Sequence, residues 1–378
     1  MFLLKEGSRN EMNASGHDKQ MKLNFKALFG FRLPHMDTVD DVLKNMDAEE
    51  LEKLRTSMVR VLLKKKLLRH VRLSNAHYLI AVDATGVAKA NATDEGTLAK
   101  ISKTGKETYM RQVLEAKIIV SGGFSISIAT EWLASDLNDN GSKEDSELSG
   151  FKRLAAKIIG YYPKLKICIL ADGLYPSEPF FRICEENNWC YCVVLKDKKL
   201  STVWEQVERE LNITEATGQV ENMILGDKTT VEWVNNITYR EKSIGWIECR
   251  ENIGEAERRF VFLTDLLIDQ TTAQEIINAG RSRWNIEDAF NTQKNRGFSL
   301  HHKFSRTSFL ATKNYYLAMQ IAHMIVQLLE FSQHFRKLAD HTKETSKHLW
   351  SLIVQALTWV FDQETWAISD RRTQFRFK

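Results

Sequence analysis

Two strand-like apolar runs, each ending in an aspartate, constrain the fold of this chain more than any other feature. The runs end at Asp83 and Asp172, and turns containing Gly86 and Gly173 are predicted to follow them. Short apolar runs bounded by turn residues are typical of buried strands. The carboxyl ends of strands in an α/β sheet are where ligand-binding groups gather. We therefore expect both aspartates to lie at one edge of a sheet.

The segments around these runs predict the class of fold. From residue 77 to 196 the patterns indicate three strands and then an alternation of helices and strands, at 77–83, 112–120, 124–132, 146–162, 166–172, 176–188 and 189–196. Three sequential strands followed by such an alternation imply a mixed sheet covered by helices. We predict an α/β protein with a mixed five-stranded sheet and flanking helices.

The rest of the chain divides into four further regions by its patterns. Residues 1–76 are expected to form a basic helical region, irregular up to about residue 36, with helices starting near Thr38 and Asp47. Residues 197–268 read as a β-rich insertion, residues 269–300 as the last helix of the core, and residues 301–378 as a helical C-terminal region.

A third carboxylate, Glu287, stands between two cations. At about 100° per residue of α-helix, Glu287 lies about 40° from Arg283 and Lys294 about 20° from it, so all three share one helix face. A surface ladder of salt bridges would explain the spacing and would stabilise the helix little. Asp265, at the end of another apolar run, is a rival third acid without flanking cations.

Three converging carboxylates suggest a metal centre. Such a group can hold a pair of Mg²⁺ ions, one activating the attacking oxygen and one stabilising the leaving oxygen. The combination of Asp83, Asp172 and Glu287 beside basic residues therefore indicates metal-dependent chemistry on phosphodiesters.

At this point the chain resembles a known family. The strand order is similar to the RNase H-like fold, and the acids resemble the DDE triad of bacterial insertion-sequence transposases. The spacing of Arg283, Glu287 and Lys294, including the core Arg-Trp-x-Ile-Glu, resembles the Y-R-E-K signature of the insertion-sequence-four family. One position departs from that signature, because Gly280 stands where its tyrosine is expected.

The resemblance implies a function and its site. Asp83, Asp172 and Glu287 would bind two Mg²⁺ or Mn²⁺ ions, and Arg283 and Lys294 would contact DNA phosphates. The implied reaction is metal-dependent hydrolysis of one strand at the transposon end, followed by transesterification in which the freed 3′-hydroxyl attacks DNA. The implied partners are double-stranded DNA, as terminal inverted repeats and target, and a second copy of the chain that bridges two ends.

Two other functions remain open on the sequence. One is an RNase H-like nuclease that cuts without joining, and the other is a catalytically inactive protein that only binds transposon ends. Intact Asp83, Asp172 and Glu287 argue against the inactive protein.

A basic cluster precedes the first strand. Lys64, Lys65, Lys66 and Arg69 follow a predicted helix, while the whole chain carries a formal charge of only +4. Cations at a helix C-terminus complement its dipole, so a solvated helix end is one interpretation. Contact with the DNA backbone is the other.

The location is predicted from what the sequence lacks. No run reaches the ~18 apolar residues of a membrane-spanning helix, and the N-terminal apolar run is too short for a signal peptide. The five cysteines fit buried, reduced thiols better than a zinc site. We expect a soluble, intracellular protein that does not bind membranes, and the resemblance implies a cytoplasmic, nucleoid-associated bacterial one.

Overall fold

The structure is a computed structural model, and it describes residues 1–68, 72–91, 94–101, 104–105, 107–120, 124–133, 143–217, 222–225, 229–253, 256–342 and 345–360. Arg69, one of the expected DNA contacts, lies outside the described residues.

The chain begins and ends with helices, and the strands lie between them together with further helices. The helices are α1 (Arg9–Ser15), α2 (Lys19–Phe29), α3 (Met36–Asn45), α4 (Ala48–Lys64), α5 (Lys143–Tyr161), α6 (Glu178–Glu186), α7 (Ser201–Thr217), α8 (Ala273–Ser282), α9 (Trp284–Asn295), α10 (Phe309–Glu330), α11 (Gln333–Thr342) and α12 (Ser346–Ala356). The strands are β1 (Arg72–Leu73), β2 (His77–Ala90), β3 (Thr97–Ile101), β4 (Glu107–Val120), β5 (Phe124–Leu133), β6 (Ile167–Ala171), β7 (Cys190–Val194), β8 (Asn222–Leu225), β9 (Thr229–Tyr239), β10 (Lys242–Ile253) and β11 (Ala256–Thr264).

The described strands form one mixed sheet. Its order is β3-β4-β2-β6-β7-β11-β10-β9-β8, with β5 paired to β4 and β1 paired to β2. The three strands β2, β6 and β7 run parallel, and the other pairings are antiparallel. The mixed α/β class predicted from the sequence is therefore confirmed.

The predicted size of the sheet is wrong. Residues 197–268 contain β8 to β11, and β11 pairs with β7 through Phe262↔Val194 and Thr264↔Cys192. This pairing extends the five central strands into an eleven-stranded sheet. The insertion also begins with a helix, α7, whose Val203 and Val207 are buried on one face of that sheet. Alternating patterns identify strands but not their partners, so the sequence could not reveal the shared sheet.

Helices cover both faces of the sheet. On one face, apolar side chains of α4, α5, α6 and α7 pack into one buried cluster with β2, β4 and β5. On the other face, α8, α9 and α10 and the N-terminal helices form a second cluster, which contains Ala81 and Ile286. Asp83, two residues after Ala81 in β2, therefore lies on the α9 side of the sheet.

The predicted end of the first strand is also wrong. Strand β2 does not turn at Gly86 but continues to Ala90, with a shift of register between Gly86 and Ala88. Its antiparallel partner β4 is as long as β2, so backbone pairing persists after β6 has ended. A Cβ atom at position 86 would lie 1.9 Å from the Met110 Sδ atom. The glycine thus serves a close packing contact within a bulged strand.

The first 36 residues contain the helices α1 and α2, contrary to the expected irregular segment. Ser8 and Asp18 cap α1 and α2 with their side chains, and the third helix starts at Met36 with His35 as its cap. The start predicted at Thr38 is therefore two residues late. The second predicted cap is confirmed, because Asp47 accepts a hydrogen bond from the Glu49 N–H at the start of α4.

The N-terminal helices pack on α10. The Asn314 side chain donates to the carbonyl oxygens of Leu43 and Met46, at 2.8 and 2.7 Å. Arg55 of α4 is fully buried and donates to Ser127 and Thr130 of β5. These contacts join the N-terminal region to the core. Within the described part of the chain, none of the helices combines the length and apolar character needed to cross a membrane.

Candidate active site

The parallel pairing of β2 and β6 places two aspartates side by side. Ala81 pairs with Leu170 at the end of that ladder, and the same register puts Asp83 beside Asp172. Asp172 directly follows β6, whereas Asp83 lies within β2 just past its last pair with β6. The expected convergence therefore holds, although only one of the two aspartates ends its strand.

A turn fixes the carboxylate of Asp172. Its Oδ1 atom accepts a hydrogen bond from the Leu174 N–H at 2.8 Å, and its carbonyl oxygen accepts one from the Tyr175 N–H at 3.1 Å. The second carboxylate oxygen, Oδ2, lies 3.6 Å from the Lys196 Nζ atom. The turn predicted at Gly173 is present, and it leaves one oxygen of Asp172 facing a cation.

The junction of α8 and α9 carries an arginine that reaches the third carboxylate. Arg283 separates the two helices, and its Nη2 atom lies 2.7 Å from Oε1 of Glu287. The Arg283 side chain is 9% exposed, and its Nη1 atom is buried without a hydrogen-bond partner among the described residues. A buried donor left unpaired costs free energy unless something else accepts from it.

The electrostatics of Asp83 connect these groups. Burial raises the pKa of Asp83 from 3.8 to about 7, Arg283 opposes this rise, and the carboxylates of Glu287 and Asp172 add to it. Like charges within a few ångströms disfavour ionisation of one another. The structure thus brings Asp83, Asp172, Glu287 and Arg283 into one interacting group.

The donor set suits a hard divalent cation, since carboxylate oxygens are the ligands that Mg²⁺ and Mn²⁺ take in proteins. As placed, however, no three His, Cys, Asp or Glu side chains in the described residues are arranged to hold a metal ion. The ion pairs of Glu287 with Arg283 and of Asp172 with Lys196 give a physical reason, because cations already neutralise two of the carboxylates. These pairs would have to loosen for three carboxylates to share an ion.

Lys294 lies two helical turns after Arg283 and is half-buried. Burial lowers the pKa of His301, and the positive charges of Lys294 and Lys89 lower it further. Lys294 therefore belongs to a local group of basic side chains next to α9.

The basic cluster on α4 lies away from the carboxylates. Lys64, Lys65 and Lys66 are exposed, and Arg60, one turn earlier, donates to the carbonyl oxygen of Tyr161 at the end of α5. That end leads into the start of β6, at the edge opposite Asp172. Six residues of strand separate Asp83 from the start of β2, a span of about 20 Å.

The rival acid Asp265 lies elsewhere. It accepts a hydrogen bond from the Tyr191 N–H at the start of β7, and burial raises its pKa to about 6. Because β7 runs parallel to β6, its start lies at the edge opposite Asp172. Asp265 is therefore not grouped with Asp83 and Asp172.

Gly280 is a packing position in this chain. It is buried on α8, where a Cβ atom would lie 2.6–2.7 Å from the ring carbons of Phe262 on β11. A tyrosine cannot enter this space without displacing the helix from the sheet. The close contact of α8 with β11 thus leaves no room for a larger side chain at position 280.

The tryptophans of the insertion belong mainly to the core. Trp233 and Trp246 are 4% and 1% exposed, and Trp204 packs edge-on against Trp246. The exposed indole near the carboxylates is instead Trp284, which is 56% exposed and lies under the guanidinium of Arg283.

Sequence reasoning missed Lys196, the second residue after β7. No spacing motif distinguishes an exposed lysine among the four residues 196–199. A usable signal would have been its place after the third parallel strand, at the edge where Asp172 follows the second.

Comparison with known proteins adds one finding. A family model described as "Transposase DDE domain" matches residues 74–325, which is two thirds of the chain and includes Asp83, Asp172 and Glu287. A search of curated proteins gives no match.

Proposed function

The chain belongs to the family of transposase DDE domains, and from this premise we propose that it cleaves DNA at transposon ends and joins the freed 3′-hydroxyl to DNA. The observation that carries this proposal is the interacting group of Asp83, Asp172, Glu287 and Arg283 at one edge of the sheet. The spatial order β5-β4-β2-β6-β7, in which β4 alone runs antiparallel to the other four strands, supports an RNase H-like core. The spacing of Arg283, Glu287 and Lys294 supports the insertion-sequence-four family in particular.

In this proposal Asp83, Asp172 and Glu287 hold two Mg²⁺ or Mn²⁺ ions. When bound, such ions supply Lewis-acid activation of the attacking oxygen and charge stabilisation of the leaving oxygen in an in-line displacement. The carboxylates must be ionised to act as ligands, and the positive charge of Arg283 favours the ionised form of Asp83.

Arg283 would position the DNA. Its buried Nη1 atom is an unused donor beside the carboxylates, and a phosphate oxygen of the DNA end is an acceptor of the right charge. Lys294 would bind a neighbouring phosphate from the same helix. Together these cations would hold the phosphodiester against the carboxylates while water displaces the 3′-oxygen from phosphorus and a 3′-hydroxyl is freed.

The cluster of Lys64, Lys65 and Lys66 would bind DNA away from the reacting phosphate. A distance of about 20 Å corresponds to roughly six base pairs at ~3.4 Å each. We propose that these lysines contact the backbone inside the transposon end, and that two copies of the chain bridge two ends.

The test is cleavage and joining of labelled duplexes taken from the DNA that flanks the coding sequence, in Mg²⁺ or Mn²⁺, with wild type beside Glu287→Gln. We expect wild type to cut and join, while the variant binds the duplexes and does neither. Equal activity of the two proteins would overturn the role of Glu287. Binding by both without any reaction would favour the inactive end-binding protein.

A second assay separates transposase from nuclease. Duplexes that already carry a free 3′-hydroxyl at the transposon end are mixed with target DNA. Joined products are expected from a transposase, whereas cutting of intact DNA without joining would support the nuclease.

A further inference from the structure

Lys196 stands at the same edge of the sheet as the carboxylates. It follows β7, which runs parallel to β6 in a register that pairs Ala171 with Val193. The ends of these two strands therefore lie side by side, and Asp172 and Lys196 extend from neighbouring strands. The side chain of Lys196 is 54% exposed, so its ammonium group is open to a ligand that approaches this edge.

The backbone beside Asp172 makes room for this lysine. A Cβ atom at Gly173 would lie 2.6–2.8 Å from the Cγ, Cδ and Cε atoms of Lys196. The aliphatic stem thus lies directly over the glycine, and a larger residue there would displace it. Lys199 makes a second contact between the loop after β7 and the turn after β6, because its Nζ atom donates to the Leu174 carbonyl oxygen at 3.0 Å. The loop after β7 is therefore joined to the turn after β6.

The ion pair of Lys196 with Asp172 is a loose one. Its 3.6 Å separation exceeds the 2.7–3.2 Å range of a hydrogen bond between nitrogen and oxygen. An exposed pair of this kind contributes little to stability, about 0–1 kcal/mol. An ammonium group has three donors, and this geometry leaves them available to another oxygen close to Asp172.

We propose that Lys196 is a further catalytic residue, whose ammonium group contacts a non-bridging oxygen of the phosphodiester under attack. This inference rests on the proposed function, since it requires the phosphodiester to lie at the carboxylates. Lys196 would approach the phosphate from the side of Asp172, and Arg283 would approach it from the side of Glu287. Negative charge that grows on the phosphate oxygens during displacement would then be stabilised by two fixed cations.

The experiment compares full-length wild type with Lys196→Met and Lys196→Arg. Methionine keeps an unbranched stem over Gly173 but removes the charge, while arginine restores it. Lys198→Met is the matched control, because Lys198 is exposed two residues away on the same loop. Each protein is assayed for the single-turnover cleavage rate at saturating protein, for the dissociation constant of the same flanking-DNA duplex, and for thermal unfolding.

We expect Lys196→Met to lower the saturated cleavage rate by about 100-fold, with at most about a tenfold change in the dissociation constant. Lys196→Arg should recover most of the rate, and Lys198→Met should cleave like wild type. A rate for Lys196→Met equal to that of Lys198→Met would overturn the proposal. So would a loss of rate explained entirely by weaker binding or a lower unfolding temperature.

Absence of cleavage by wild type would count against the proposed function rather than against Lys196 alone. The salt dependence of duplex binding then tests the lysine separately. The logarithm of the association constant for DNA falls linearly with the logarithm of the salt concentration. Removing one cation that binds a phosphate makes this line less steep by about 0.9. An unchanged slope in Lys196→Met would overturn the contact itself.

Discussion

The Nη2 atom of Arg283 lies 2.7 Å from the Oε1 atom of Glu287, one helical turn further along the chain. The same guanidinium stacks over the exposed indole of Trp284. The Arg283 side chain thus contacts both a carboxylate that is proposed to bind metal and a surface that is proposed to bind DNA. A metal ion and the Nη2 atom compete for the same carboxylate of Glu287, whereas the Nη1 atom is the donor proposed for DNA.

This competition predicts opposite effects of Arg283→Met on metal and on DNA. Without DNA, the variant should bind Mn²⁺ about two- to fivefold more tightly, because removing the ion pair releases Glu287. Cleavage of DNA should fall by at least about tenfold, since a cation next to the phosphate is lost. Calorimetric titration with Mn²⁺ and single-turnover cleavage measure the two effects.

Arg281→Met is the matched control for this variant. Arg281 lies two residues earlier but pairs with Glu251 of β10 rather than with the carboxylate group. It should leave Mn²⁺ affinity and cleavage unchanged. Weaker Mn²⁺ binding by Arg283→Met would show that the arginine supports the ligand arrangement instead of competing with it.

The raised pKa of Asp83 predicts a pH dependence of stability in the metal-free protein. Its pKa is about 7 in the folded state, against an ordinary value of 3.8 for the unfolded chain. Between these values the folded state binds more protons than the unfolded state, so the free energy of unfolding falls as pH rises from about 4 to 7. Asp83→Asn should remove this part of the decline.

Urea unfolding in the presence of a chelator, at pH 5.5 and 8, measures the effect. Asp288→Asn is the control, because Asp288 is an exposed carboxylate one residue after Glu287. The prediction is contradicted if the free energy of unfolding rises between pH 5.5 and 8 by the same amount in wild type and in Asp83→Asn.

A buried charge pair next to the site predicts a large loss of stability, and its glutamate, Glu115, is the partner of Asp83 across β2 and β4. Glu115 is fully buried on β4 and accepts hydrogen bonds from Thr130 and Tyr316, both at 2.8 Å, and from Ser127. Arg55 is also fully buried, with its Nη1 atom 3.9 Å from Glu115. Glu115→Ala leaves this arginine uncompensated, and the free energy of unfolding should fall by about 3–5 kcal/mol.

The double replacement of Arg55→Met and Glu115→Leu tests whether the uncompensated charge of Arg55 causes the loss of stability. Removing both charges should restore part of the lost stability, because the arginine is no longer uncompensated, while Ser127, Thr130 and Tyr316 still lack their acceptor. Urea unfolding of the single and double variants measures this. A double variant less stable than Glu115→Ala would contradict the account.

Gly280 gives a prediction about the missing signature tyrosine. Gly280→Ala should destabilise the protein by about 1–3 kcal/mol, since its Cβ atom would press on the Phe262 ring. Gly280→Tyr should cost more and should not raise activity. Gly160→Ala is the control, because a Cβ at that exposed position on α5 meets nothing within 4 Å. It should stabilise by about 0.5–1 kcal/mol.

Thermal or urea unfolding tests these glycine variants. Combining Gly280→Ala with Phe262→Leu should recover part of the stability by relieving the clash. A Gly280→Tyr variant that folds normally and cleaves faster than wild type would show that the position is open to the signature residue.

The placement of Asp83 beside Asp172, and of Arg283 beside Glu287, followed from local patterns. Parallel register carries the aspartates to one edge, and helical periodicity puts Arg283 and Glu287 on one face. Both are short-range regularities of the backbone, so the sequence was sufficient to predict them.

What the sequence could not predict depends on partners distant along the chain. The continuation of β2 past Gly86 is decided by β4, and the joining of the insertion to the sheet is decided by the pairing of Phe262 with Val194. Lys196 is placed by tertiary contact with Gly173, which leaves no trace in its own neighbourhood. Tertiary pairing therefore accounts for most of the differences.

Lys64, Lys65 and Lys66 lie away from the carboxylates, so we predict that they affect DNA binding but not the rate of cleavage. Replacing all three lysines by glutamine should weaken the salt dependence of DNA binding. The plot of the logarithm of the association constant against the logarithm of the salt concentration should become less steep by about 2–3, close to 0.9 for each phosphate that is no longer neutralised. The single-turnover cleavage rate at saturating protein should stay within about twofold of wild type, because the lysines follow Arg60, which contacts the end of α5 about one strand length (~20 Å) from the edge that carries the carboxylates. An unchanged slope would favour a solvated helix end, with these cations serving only the dipole of α4. A slower saturated rate would mean that the cluster reaches the reacting phosphate, which contradicts its place beside the start of β6.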